Sequence, residues 1–161
     1  DMRQVPFGFK ERAVLIPIEL LGAKWVMLAG LALGALLSIF TGERWLTRFQ
    51  NFLIPLFLSV GSGAVLTPLF LPLIPFRSFA LKGLITAGVV LSAYGFDQGQ
   101  EGFKILTEIL LFTPVSSFLA LNFTGASTYT SLAGVKKEMR RAIPLLIIMF
   151  LTGLVLKIIK F

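Results

Sequence analysis

Residues able to do chemistry gather in one stretch of this chain, Asn122–Arg141, which reads NFTGASTYTSLAGVKKEMRR. Its first half is small and hydroxylated, carrying Asn122, Thr124, Gly125, Ser127, Thr128, Thr130 and Ser131. Its second half is basic: Lys136, Lys137, Arg140 and Arg141, with Glu138 the one acid. Small residues let a partner come close to the backbone, and hydroxyls both donate and accept. Four cations attract phosphate or carboxylate. Two readings stand side by side: a docking or binding surface for an anionic group, or a juxtamembrane loop whose Lys and Arg mark the cytoplasmic side. Ser131 is placed to cap a helix beginning within Thr130–Arg141.

Elsewhere the chemistry is narrow. The 161 residues contain no Cys and no His. That excludes from them a disulfide, a thiol nucleophile, an imidazole base and the usual soft metal ligands. No P-loop, GxGxxG or metal-ligand spacing is present. Asp97 and Glu101 fall in a Gly-rich loop, GFDQGQEGFK, too loosely set for paired acid–base work. Glu108 is the acid that falls inside an apolar run, and an intramembrane acid is by default a functional candidate. It follows Lys104 by four residues, so pairing or snorkelling near the interface is the expectation. Arg77 and Lys82 read as interfacial anchors. No catalytic residue and no metal ligand is predicted.

These residues must be held by a hydrocarbon-rich scaffold. Hydrophobic residues make up 56% of the chain and charged ones 14%, against about 45–50% and about 25% in soluble domains. Mean hydropathy is +0.88. Sixteen Phe and two Trp suit lipid contact and interfacial anchoring. A net charge of +7 would suit nucleic acid in a soluble protein. In a membrane protein it marks the cytoplasmic face instead, and no nucleic-acid partner is predicted. The expected fold is all-α: a polytopic transmembrane bundle of five spans in residues 21–161, preceded by an interfacial segment in residues 1–20.

In the first segment, Phe9–Leu21 mixes Lys10, Glu11, Arg12 and Glu19 with apolar residues, as an amphipathic interfacial helix does. A signal peptide fits poorly, because no cleavage site is clear. The chain begins with Asp, which predicts an excerpt or processed piece. The spans then follow at about Leu21–Phe40, Asn51–Pro75, Gly83–Tyr94 (longer if it begins near Ser78), Ile105–Phe123 and Ala142–Ile159. Gly30 and Gly34 in the first form a GxxxG pair, either a close-approach site or a by-product of a Gly- and Ala-rich helix. A polar connection, Thr41–Gln50, carries Trp45 at the interface. The second span holds Pro55, Gly61, Gly63, Pro68, Pro72 and Pro75. It should be kinked or broken, with freed carbonyls met by neighbouring helices or by Ser59, Ser62 and Thr67. Pro114 lies mid-way along the fourth span, and Pro144 is expected in the first turn of the fifth, where proline is tolerated. SFALKG at 78–83 echoes SFLALN at 117–122, a short match that chance explains as well as a repeat.

Five spans put the termini on opposite sides. Ten Lys and Arg then fall on the side of the N-terminus and five on the other. The positive-inside rule places the N-terminus and the Asn122–Arg141 loop in the cytoplasm, in a cell membrane, with the C-terminus outside.

The loop, together with FKERAVLIPIELL at 9–21 and PFRSFALKG at 75–83, resembles the membrane domain of the corrinoid protein of microbial mercury methylation (HgcA-type), a family related to the corrinoid subunit of acetyl-CoA synthase. The strongest match is NFTGASTYTSLAGVKKEMR at 122–140. The resemblance implies a cytoplasmic corrinoid domain ahead of five membrane helices, methyl transfer from the corrinoid to Hg(II), and a ferredoxin-like iron–sulfur partner that supplies electrons. On that reading this chain is membrane anchor and docking platform. Asn122, Thr124–Ser131 and Lys136–Arg141 would face the corrinoid domain, the phosphate-bearing tail of the cofactor or the acidic partner. The rival reading is a small-solute or ion transporter, or a purely structural membrane subunit, with the Pro- and Gly-broken second span as its best feature.

Overall fold

A computed structural model describes residues 9–40, 44–71, 73–76, 78–123 and 132–159. All the regular structure among them is helical: α1 (Phe9–Phe40), α2 (Trp45–Gly61), a π turn (Ser62–Leu66), α3 (Thr67–Leu69), α4 (Phe79–Asp97), α5 (Gly102–Phe123) and α6 (Leu132–Ile159). Among the described residues, five helical rods are long and apolar enough to cross a membrane, with α2, the π turn and α3 forming one of them. This is the pattern that a multi-pass membrane protein requires. Large apolar side chains cover the outside, including Leu21, Trp25, Ile148 and Ile159.

Hydrophobic patterning explains the rods, and local signals explain where they stop. Ser78 stands in extended conformation before α4, and its Oγ accepts from the Leu81 amide. At the far end of α4, Gly99 takes φ +60°. The Gln100 amide reaches the Gly95 carbonyl and the Gly99 amide the Phe96 carbonyl. This is a Schellman ending, and it lets only a four-residue connection separate α4 from α5.

Successive rods run antiparallel. Gly30 and Gly34 of α1 face Leu56 and Phe52 of α2, so the GxxxG pair receives two knobs from the next helix. Gly83 and Gly95 of α4 face Ser117 and Ile105 of α5, and Gly153 of α6 lies against Leu110 and Leu111. The hub is α5. Of its apolar window 67% is buried inside the protein, against 11% for the windows of α1 and α6. Phe52, Leu56, Leu91, Leu111, Phe112 and Leu119 form the main core around it.

The second rod departs from α geometry where its prolines and glycines predict. Across the π turn the Thr67 amide bonds back to the Ser62 carbonyl, and Thr67 Oγ1 donates to that same carbonyl at 2.8 Å. Ser62 Oγ donates to Leu58 O. Ser59 Oγ reaches across to the Phe112 carbonyl of α5. The three expected hydroxyls thus all serve backbone carbonyls.

Three expectations need correction. Phe9–Leu21 is not a separate interfacial helix: it forms the opening turns of the continuous α1, because Pro17 is accommodated within that helix. Residues 1–8 lie outside the described ones. Trp45 belongs to α2, where it stacks on Phe49 with ring centres 5.4 Å apart. The helix expected to begin within Thr130–Arg141 starts at Leu132 and runs on into the fifth span, so Pro144 is interior to α6 and not in its first turn. Charged residues did not end these helices, since a helix emerging from hydrocarbon gains no reason to unwind in water.

Close packing at the glycines sets a stability test. A Cβ on Gly83 would lie 2.6 Å from Ser117 Cα and 2.9 Å from the Ser116 carbonyl oxygen, whereas one on Gly88 meets nothing within 4 Å. Gly83→Ala should therefore destabilise by about 1–3 kcal/mol through overpacking. Gly88→Ala on the same helix should be neutral or slightly stabilising. Thermal unfolding of both variants in detergent checks the contrast.

Candidate functional site

One end of the bundle gathers the end of α3, the starts of α4 and α6, and the end of α5. We call it the proximal end and the other the distal end. The proximal end is organised by the start of α4. Glu138 of α6 accepts at one oxygen, Oε1, from Ser78 Oγ at 2.8 Å and from the Ala80 amide at 2.9 Å. A carboxylate at a helix N-terminus satisfies orphan donors and complements the helix dipole. This gives the lone acid of the basic stretch a structural task. Lys82, one turn further on, is 8% exposed. Its Nζ donates to the Leu71 carbonyl at 2.7 Å and lies 5.6 Å from the centre of the Phe79 ring. It is therefore a buried clamp on the end of the second rod, where an interfacial anchor was expected. Behind these contacts, Ser116 Oγ and Ser117 Oγ of α5 donate to the Gly83 and Ala80 carbonyls. The two echoing segments, 78–83 and 117–122, are packing partners.

Lys136, Lys137, Arg140 and Arg141 are all exposed on the opening turns of α6. Helical spacing divides them: Lys136 and Arg140 share one line, and Lys137 and Arg141 share another about 100° round the helix. The second pair lines a groove of about 640 Å³ between α4 and α6, with Ser78 and Glu138 at its polar end. Asn122 is exposed in the last turn of α5. Thr124, Gly125, Ser127, Thr128, Thr130 and Ser131 lie outside the described residues. The basic half of the predicted surface is thus brought together at one helix start, beside the start of α4.

At the distal end the structure corrects one pairing. Glu108 is not held at the interface by Lys104: it is 1% exposed, and its ion partner is Lys157 of α6 at 3.7 Å. Both carboxylate oxygens are buried with no hydrogen-bond donor among the described residues. A cavity of about 470 Å³ adjoins the pair, lined by Arg48, Asn51, Glu101, Lys104, Thr107 and Lys157 among others. The pairing was available in principle. Opposite charges sit within two turns of the adjoining ends of consecutive antiparallel spans, which places them at a similar depth. Only the rotation of each helix decides whether they meet, and hydropathy carries no record of rotation.

Because removing one member of a buried pair strands the other charge, Lys157→Met should lower stability by about 3–5 kcal/mol. Adding Glu108→Leu to it should restore most of that loss. Equilibrium unfolding of the single and double variants in detergent decides. No family model, curated protein or solved structure matches this chain.

Proposed function

We propose that this bundle is the membrane-anchoring and docking domain of a corrinoid-dependent methyltransferase of the mercury-methylating type. The reading combines the sequence resemblance at residues 122–140 with one feature of the fold. Glu138 ties the basic start of α6 to the start of α4, so Lys136 and Arg140, both within the matching stretch, stand as an exposed cationic pair at that end. The proximal end faces the cytoplasm in this reading, the side on which the positive-inside rule puts the larger share of Lys and Arg. An acidic ferredoxin-like protein, or the corrinoid domain with its phosphate-bearing tail, docks there by charge complementarity.

The corrinoid itself belongs on the neighbouring domain. These 161 residues contain no His or Cys, so they supply neither imidazole nor thiolate as an axial ligand to cobalt. No step of methyl transfer falls to them. Their contribution is positional: they hold a reactive domain at the membrane face and raise the encounter rate with a negatively charged electron donor.

A second reading, solute or ion transport, has its own support in the buried Glu108–Lys157 pair beside the distal cavity. Intramembrane ionisable groups commonly mark pathways.

Purified parent protein should carry a corrinoid, seen by its absorbance, and its absence removes the first reading. Lys136→Ala with Arg140→Ala should weaken capture of the ferredoxin-like partner, with a deficit that shrinks as salt is raised past about 0.15 M and screening sets in. Unchanged capture removes the docking role. For the second reading, proteoliposomes should show ion flux that Glu108→Gln abolishes; flux equal to that of empty liposomes ends it.

A further inference from the structure

The groove between α4 and α6 has a graded lining that a docking surface for a protein does not need. Lys137 and Arg141 stand at its mouth, with Ser78 and Glu138 beside them, and Leu81, Leu84, Leu145 and Met149 continue it into the apolar part of the bundle. Both helices begin at this end, because Glu138 ties the start of one to the start of the other. Their polar-to-apolar gradients are therefore aligned and reinforce each other. From Lys137 to Met149 is twelve residues, or about 18 Å of helix rise. A leaflet offers about half of a 30 Å hydrocarbon core plus its headgroup layer. The groove thus has the length of one leaflet, cationic where the headgroup lies and hydrocarbon below.

We propose that this groove seats an anionic phospholipid, its phosphate held by Lys137 and Arg141 and one acyl chain lying along Leu81, Leu84, Leu145 and Met149. Glu138 does not oppose the phosphate strongly. Its Oε1 is committed to Ser78 and Ala80, where the N-terminal dipole of α4 offsets its charge. Arg141 brings a planar fork suited to phosphate oxygens, and Lys137 adds a mobile point charge one turn away. The seat follows from the bundle lying in a bilayer and holds for either leaflet. It uses the Lys137–Arg141 line, whereas partner docking uses the Lys136–Arg140 line, so the two assignments fail separately.

Native mass spectrometry of the full chain in mild detergent tests the seat. Phosphatidylglycerol is titrated against phosphatidylcholine with the same acyl chains, and inorganic phosphate serves as competitor. Phosphatidylglycerol should be retained preferentially, and millimolar phosphate should not displace it, since free phosphate lacks the chain. Lys137→Gln with Arg141→Gln should cut that preference about tenfold or more, while Lys136→Gln with Arg140→Gln leaves it intact. Leu145→Trp, which fills the groove and keeps both cations, should weaken retention of both lipids. Equal retention of the two lipids by the unmodified chain would overturn the proposal. So would full retention by the Lys137–Arg141 variant, or displacement by phosphate alone. Thermal unfolding of each variant confirms that the bundle is intact.

Discussion

Among hydrocarbon side chains, a hydroxyl or carbonyl without a partner costs far more than it does at a wet surface. The arrangement of α5 answers that constraint. Ser116 and Ser117 give their hydroxyl protons to carbonyls of α4, and the Phe112 carbonyl receives Ser59 from α2. Such bonds require backbones to come very near, and Gly63 and Gly83 supply the room. Hydrogen bonds between membrane helices contribute only about 0.6 kcal/mol each on average. Their value here lies in fixing rotation: each one is made in a single orientation of the two helices.

The two ends of the bundle use charge differently. At the proximal end Glu138 is half-buried and spends its charge on donors that α4 already offers. At the distal end Glu108 and Lys157 are both buried, and each depends on the other. The first device is a joint between helices and keeps the basic face in place. The second ties α5 to α6 at the cost of desolvating two ions, an arrangement that stability alone does not favour. Such a pair gains a purpose if the adjoining cavity admits water or a solute.

How much of this was legible in the sequence depends on which property carried the information. The five rods follow from long apolar runs, and the proline- and glycine-rich second rod announced its irregular turn through residues that cannot sustain an α ladder. Helix limits were less legible. At Phe9–Leu21 charged residues looked like a boundary, yet Lys and Arg are good helix formers, and α1 runs through them. The helix expected within Thr130–Arg141 likewise continues unbroken into the fifth span. Partner choice was the least legible. Glu108 has Lys104 four residues away along its own helix, but meets Lys157. Lys82 looked like a surface anchor and closes on the Leu71 carbonyl. Both contacts depend on how helices are rotated about their axes, which side-chain polarity alone does not specify. The hydroxyl-rich residues Thr124–Ser131 lie outside the described part, so the expectation placed on them rests on sequence.

The π turn at Ser62–Leu66 has a consequence for the phase of the second rod. In a regular α-helix, positions four apart slip by about 40°, so Ser59, Gly63 and Thr67 would wind steadily off any one seam. A turn closed by an i→i+5 bond holds more residues and takes up that slip. Ser59 can then address α5 and Gly63 fit beside Ser116, while Thr67 still meets Thr86 of α4, their hydroxyls 2.7 Å apart. The extra residue works as a vernier, holding three small polar or side-chain-free positions on one inward stripe over about 12 Å of the rod.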